Sequence, residues 1–381
     1  MDNEQNHLPF LYNLRGIAIL SVYLLHSYVL SLGISDLEWS GYFRKFDFSF
    51  SYLLLFPFSY GSAGVAIFFV ISGFCIHLSH ARSEDSNWLS FFRKRFCRIY
   101  PPYLVALCIF FFLPPWGSFS FETSTRSLQF FSHLLLAHNL YAESYFSINP
   151  AFWSIAIEVQ LYALYPILTW ITGKYGWKSG ILVVATVELA IRTSLSLYRV
   201  INWSPLPVFI FCSPFAFWLS WSIGAYLAES YLKNKRNVLT FLRLDFMIIT
   251  ALTAPLFKPT EAFAFLIYSL TTGVAINHFI SNVSRISEHK FYSRFWLHLS
   301  KLGRVSYSFY LIHQPIILWI IPKFEKLIPN IYSQPLGKMA LCVAIYMPIM
   351  ILSSIMYKVI EKPATIWGQH EFWCRYIPLT K

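Results

Sequence analysis

Residues 11–32, LYNLRGIAILSVYLLHSYVLSL, are long and apolar enough to cross a bilayer as one helix, yet they carry two ionisable side chains, Arg15 and His26. In a helix, eleven residues turn through about 1100° and rise about 16 Å, so Arg15 and His26 fall within about 20° of one face. Arg15 sits near one end of the span and His26 toward its middle. An imidazole at that depth must face protein or water, and ionisable groups inside membrane helices mark functional sites by default. His26 is therefore the first residue that needs explaining.

The rest of the chain repeats the pattern. Apolar runs of spanning length fall at about 10–32, 60–80, 99–115, 152–172, 179–198, 206–228, 240–257, 260–281, 304–321 and 336–359. They predict an all-α, polytopic bundle of about ten transmembrane helices. A shorter apolar piece, 127–137, is too brief to span and suits a re-entrant or interfacial segment. Only 13% of the 381 residues are charged, against about 25% in ordinary soluble domains. The formal charge of +12 would suggest a nucleic-acid partner in a soluble protein. Here the Lys and Arg residues sit between apolar runs, where they orient helices. The basic segments 81–98, 229–243 and 282–304 all fall on the cytoplasmic side if both termini are cytoplasmic, and an odd number of spans would break that alternation. No secretory signal, internal repeat or soluble domain is evident, so residues 1–381 are expected to form one integral-membrane domain. The six cysteines, Cys75, Cys97, Cys108, Cys212, Cys342 and Cys374, are scattered without metal-ligand spacing, and no metal site is expected.

Three further segments carry polar side chains in register. SFFRKRFCRIYPPY places Arg95 and Arg98 three apart beside Arg93 and Lys94. Such a cluster suits either anionic lipid at the membrane surface or a phosphate clamp, because guanidinium groups grip phosphate oxygens in bidentate fashion. The preceding run ends in His77 and His80 and carries Gly64 and Ser72-Gly73, small residues that let helices approach closely. In NPAFWSIAIEVQLYALYP, Ser154, Glu158 and Tyr162 recur at i, i+4 and i+8, with Tyr165 adjacent on that face. A carboxylate inside an apolar helix needs a partner, structural or functional. In LGRVSYSFYLIHQPI, Ser306, Tyr310 and His313 share a face, and Pro315 loosens the backbone just beyond them. His313 suits a packing role or a place in the site. Glu188 and Arg192 are spaced to pair, and Glu361-Lys362-Pro363 reads as the stop of the last long helix.

Taken together, LRGIAILSVYLLH, GVAIFFVISGF, RKRFCRIYPPY, FWSIAIEVQLYALYP, SYSFYLIHQP and IEKP resemble the integral-membrane acyltransferases called acyltransferase family three, which include O-antigen and other surface-glycan O-acetyltransferases. Residues 175–300 carry little of the likeness. The resemblance implies a multi-pass protein of the bacterial inner membrane that takes an acyl group, usually acetyl, from cytoplasmic acyl-coenzyme A. It delivers that group to a hydroxyl of a glycan or lipid-linked saccharide. By the same resemblance, Arg15 and His26 match an Arg-(ten residues)-His motif with the histidine catalytic, and Arg95 and Arg98 match an RxxR motif that contacts coenzyme A. With the polar faces read above, the candidate site residues are His26, Glu158, Tyr310 and His313 for catalysis and Arg15, Arg93, Arg95 and Arg98 for the donor. Some members carry an extracytoplasmic esterase-like domain after the last helix, and none is expected within this chain. As general base, neutral imidazole at His26 would take the acceptor's proton. Glu158 would orient it or bind sugar hydroxyls, and Tyr310 or His313 would stabilise the oxyanion. An acyl-histidine intermediate fits the same residues. So does a transporter or flippase of a lipid-linked glycan, whose usual signs are an internal repeat and paired broken helices. Trp39, Trp116 and Tyr145 in the expected outer loops are candidates for sugar stacking or for interface anchoring.

Overall fold

The computed structural model describes residues 8, 10–32, 49–83, 87–113, 125–201, 207–281 and 294–369. Among these the chain is mostly helical, with no strand. The helices of two turns or more are α1 (Phe10–Leu32), α2 (Ala63–Ala81), α3 (Trp88–Phe112), α4 (Arg126–Leu134), α5 (Trp153–Ile201), α6 (Trp218–Leu232), α7 (Leu244–Thr253), α8 (Ala264–Ser281), α9 (Arg294–Arg304), α10 (Ser306–Leu327), α11 (Pro335–Met356) and α12 (Lys362–Gln369). Seven helical segments among the described residues are long and apolar enough to cross a membrane, or eight if α9 and α10, bent by 84°, form one span.

Each of the ten expected runs overlaps helix among the described residues, and the difference in count has local causes. The α5 segment is continuous by hydrogen bonding but breaks at Gly176, whose φ of 80° lies in the left-handed region. The chain doubles back there. A Cβ on Gly180 would lie 2.5 Å from Thr172 Cγ2 and 3.8 Å from Leu168 Cδ1, whereas twelve residues of straight helix span about 18 Å. The far ends agree, since Trp153 and Arg192 both lie against the ring of Phe217. The expected runs 152–172 and 179–198 are thus the two arms of a hairpin. The run 240–257 forms only the shorter apolar helix Leu244–Leu256, and 304–321 falls in the bent pair.

Helix α1 sits at the centre, packed against α2, α9, α10 and α11. Close approach is set by small residues. A Cβ on Gly16 would lie 2.1 Å from the carbonyl oxygen of Leu299, and one on Gly303 would lie 1.9 Å from that of Tyr12. The same reciprocal contact joins α2 and α6, where Gly73 meets the carbonyl of Trp221 and Gly224 meets that of Val70. These contacts fix the height of α1 and α2 relative to their neighbours, and with it the height of Arg15 and Ser72. The expected pair at Glu188 and Arg192 is present and buried, with a 2.8 Å bond from Arg192 Nε to Glu188 Oε1. Arg192 also bonds the carbonyls of Ala262 and Ala216, which ties the second arm of α5 to its neighbours.

Candidate active site

His26 meets His313 across the α1/α10 interface. Their rings stack at 5.1 Å, with His26 Nδ1 2.8 Å from His313 Nε2. The proton positions follow from the partners. His313 Nδ1 lies 2.9 Å from the carbonyl oxygen of Tyr310 and 3.1 Å from that of Phe309. Carbonyls only accept, so Nδ1 of His313 carries a proton, and in the neutral ring Nε2 carries a lone pair. That lone pair accepts from Nδ1–H of His26. The remaining nitrogen of His26, Nε2, is then left unprotonated and basic. Tyr23 and Phe309 wall the pair, and Tyr23 donates to the carbonyl of Cys342.

The sequence around His313 explains why the ring holds this position. Pro315 has no N–H to return to the carbonyl of Leu311. Asn149 takes that carbonyl instead, with Nδ2 at 2.8 Å. The freed group is therefore satisfied by the segment leading into α5, as a membrane interior requires.

A cavity of about 70 Å³ lies toward the Arg15 end of α1. Its polar walls include Arg15, Arg98, Ser72, Glu158, Tyr162 and Tyr310. His26 and His313 are not among its lining residues. Tyr310 stands between: its hydroxyl bonds Ser154 at 2.8 Å, and its ring is 5.6 Å from that of His313. The expected polar stripe on α5 is thus divided among partners. Ser154 faces Tyr310, Tyr162 and Glu158 share Ser72, and Tyr165 bonds Nδ1 of His77. Glu158 accepts from Ser72 at 2.7 Å and from Tyr162, and the side chain bonded to His26 is His313.

The arginines divide similarly. Arg15 and Arg98 both line the cavity; Arg15 has Arg98, Glu361 and Glu158 among its charged neighbours, and Arg98 has Glu361 and Glu158. Arg95 adjoins Arg98, Tyr162 and Tyr165, and its guanidinium lies 5.3 Å from the ring centre of Phe91. Arg93 is not brought to the cavity, and its own backbone carbonyl is near Gly368 of α12. The residues at the α9/α10 bend tie the cluster together. Ser306 accepts from Arg15 Nε at 3.3 Å, Tyr307 donates to the carbonyl of Ile99 at 2.8 Å, and Ser308 donates to Glu361 at 2.6 Å. Both carboxylates are anchored on hydroxyl groups and neither forms an ion pair with Arg15 or Arg98 among the described residues, which leaves these cavity-lining guanidinium groups suited to an incoming anion.

Several of these groups are not evident from the sequence by itself. Ser72 and Cys75 line the cavity, although Ser72 stands out beforehand only as a small residue beside Gly73. Glu361, expected only to end a helix, is 5% exposed and belongs to the charged cluster. Tyr145 is buried against Phe146 and Trp153, so its ring is not open for stacking on a sugar. Trp39, Trp116 and Cys374 lie outside the described residues. No group of three metal-ligating side chains occurs among the described residues.

Comparison with known proteins bears on this arrangement. A Bacillus subtilis (strain 168) protein bearing the name of a peptidoglycan O-acetyltransferase is 25% identical over 403 residues, covering 97% of this chain and 56% of that protein. An Acidianus two-tailed virus protein named as an acetyltransferase is 25% identical over 321 residues, covering 81% of this chain and 83% of its own length. Nodulation protein 10 of Rhizobium leguminosarum bv. viciae is 32% identical over 152 residues, covering 35% of this chain and 40% of that protein. The chain thus spans little more than half of the Bacillus relative. No solved structure matches. The family described as "Acyltransferase domain" matches residues 8–358, nearly the whole described bundle, and the chain belongs to that acyltransferase family.

Proposed function

We propose that the chain is one membrane O-acyltransferase domain, multi-pass in a bacterial inner membrane with both termini cytoplasmic. It moves an acetyl or related acyl group from acyl-coenzyme A to a hydroxyl of a cell-surface glycan or lipid-linked saccharide. The observation that carries this reading is the His26–His313 pair, which leaves an unprotonated imidazole nitrogen about three turns along α1 from Arg15. The family supplies the acyl transfer, and the name of the Bacillus relative favours a glycan acceptor.

In this reading Arg15 and Arg98, with Arg95 beside them, hold the donor's phosphates at the cytoplasmic end. The pantetheine arm is comparable in length to the separation between that end and His26. His26 Nε2 takes the proton of the acceptor hydroxyl as its oxygen attacks the thioester carbonyl. The tetrahedral intermediate collapses with cleavage of the C–S bond, and the leaving thiolate takes the proton back from His26. His313 keeps the first imidazole in the reactive tautomer and stabilises the imidazolium while it exists. Tyr310, which lines the cavity and packs against His313, supplies a hydroxyl for the developing oxyanion. Glu158 shapes the donor cavity through Ser72 and Tyr162, and membrane lipids surround the bundle.

The test is acyl transfer by the purified protein in vesicles, with acetyl-coenzyme A labelled in the acetyl group and a glycan acceptor. The reading expects release of coenzyme A thiol and labelled glycan in equal amounts, both lost in Arg98→Ala. Movement of glycan across the bilayer with no thiol released would favour a flippase instead.

A further inference from the structure

Glu361 is the one carboxylate of the charged cluster whose position has not been given a task. It lies in a wide π-helical turn, Tyr357–Glu361, between α11 and α12, and such turns recur at functional positions. It is buried, and Arg15 and Arg98 are among its charged neighbours. Among the described residues, however, it makes no direct ion pair with either. What holds it is Ser308, through its Oγ at 2.6 Å and through its backbone N–H. Burying a carboxylate costs stability unless it is paired or hydrogen-bonded, and the usual solution beside two guanidinium groups is a bidentate pair. That pair would occupy the fork a phosphate needs.

Given that Arg15 and Arg98 bind the donor's phosphates, as proposed above, we infer that Glu361 is a positioning residue for the donor site. It acts as a resident counter-anion, held off the arginines by Ser308. Its charge keeps the two like-charged guanidinium groups together in the empty site without filling their forks. When donor is bound, the same charge opposes the phosphates and speeds the departure of spent coenzyme A. The carboxylate that lines the cavity itself, Glu158, is likewise anchored on hydroxyl groups, those of Ser72 and Tyr162. At Glu361 the anchor is the residue beside Tyr307, at the start of α10, so donor release is coupled to the helix that carries His313.

Two variants have opposite expected signs. Glu361→Gln keeps an acceptor for Ser308 but removes the charge, and a unit charge at this range predicts coenzyme A binding about tenfold tighter. KM for acetyl-coenzyme A and kcat should fall together, with stronger inhibition by coenzyme A. Ser308→Ala removes the hydroxyl bond and leaves only the backbone N–H, so the carboxylate can shift toward a guanidinium, and coenzyme A binding should weaken several-fold. Binding of pantetheine, which has no phosphate, should change in neither. The measurements use the full chain in lipid nanodiscs, on protein that elutes as a single species. Unchanged or weaker coenzyme A binding by folded Glu361→Gln overturns the inference, and so does unchanged binding by Ser308→Ala if the first variant does not fold. Arg98→Ala separates the two levels. If it still binds coenzyme A normally, the donor-site reading fails and takes this inference with it. If binding is lost while the two variants behave as wild type, only the inference fails.

Discussion

At the scale of single residues, the proposed chemistry depends on which nitrogen carries a proton. His313 donates from Nδ1 to helix carbonyls, His26 donates to His313, and the nitrogen proposed to act as base is the one that remains. Removing His313 should leave His26 in place but free to adopt either tautomer. We expect His313→Ala to lose about 10²-fold in kcat. His313→Gln, whose amide oxygen can accept from His26 Nδ1–H, should recover part of that loss. Equal kcat in wild type and both variants, at equal amounts of folded protein, would mean that His313 has no positioning role. The sequence makes His26 and His313 visible as polar groups in apolar helices, because charge in lipid is costly enough to be conspicuous. Their partnership is not visible, since helical periodicity says which face a residue occupies but not which helix that face meets. Glu361 is the clearest instance: its place at a helix end can be read from Glu-Lys-Pro, while its burial beside Arg15 and Arg98 depends on how α12 packs on α3.

At the scale of elements, helix length is legible where apolar runs are long, and the turns between them are less so. The break at Gly176 follows from a left-handed backbone that glycine adopts without strain. The approach of α2 to α6 depends on having no side chain where helix backbones touch. Gly224→Ala would place a Cβ 1.9 Å from the carbonyl oxygen of Val70. Separating the helices should cost about 1–3 kcal/mol, read as a lower melting temperature in detergent, whereas Ala at the open Gly173 should have little effect. The α4 segment offers a pH test. Burial holds the His133 imidazole down at about 4, from an ordinary value of 6.5. The unfolded chain therefore binds more protons than the folded one between these values, so stability should fall as pH drops from 6.5 toward 4. His133→Asn, which keeps a donor for the carbonyl of Gln129, should flatten that part of the melting-temperature profile. An unchanged slope would assign it to other groups.

At the scale of the whole molecule, an apolar bundle carries one polar layer at the arginine cavity and a second at the histidine pair, joined by Tyr310. The distribution of Lys and Arg between apolar runs predicts that the Arg15 end and both termini are cytoplasmic. A fluorescent protein fused at either end should fluoresce in cells, and a periplasm-dependent phosphatase at the same points should stay inactive; the reverse would invert donor and acceptor sides. The central claim is that His26 is where the acyl group changes hands. It is tested most directly by acetyl transfer from labelled acetyl-coenzyme A to glycan in vesicles containing His26→Ala at wild-type protein levels. The account predicts transfer at the protein-free background with coenzyme A binding retained, and turnover equal to wild type would contradict it.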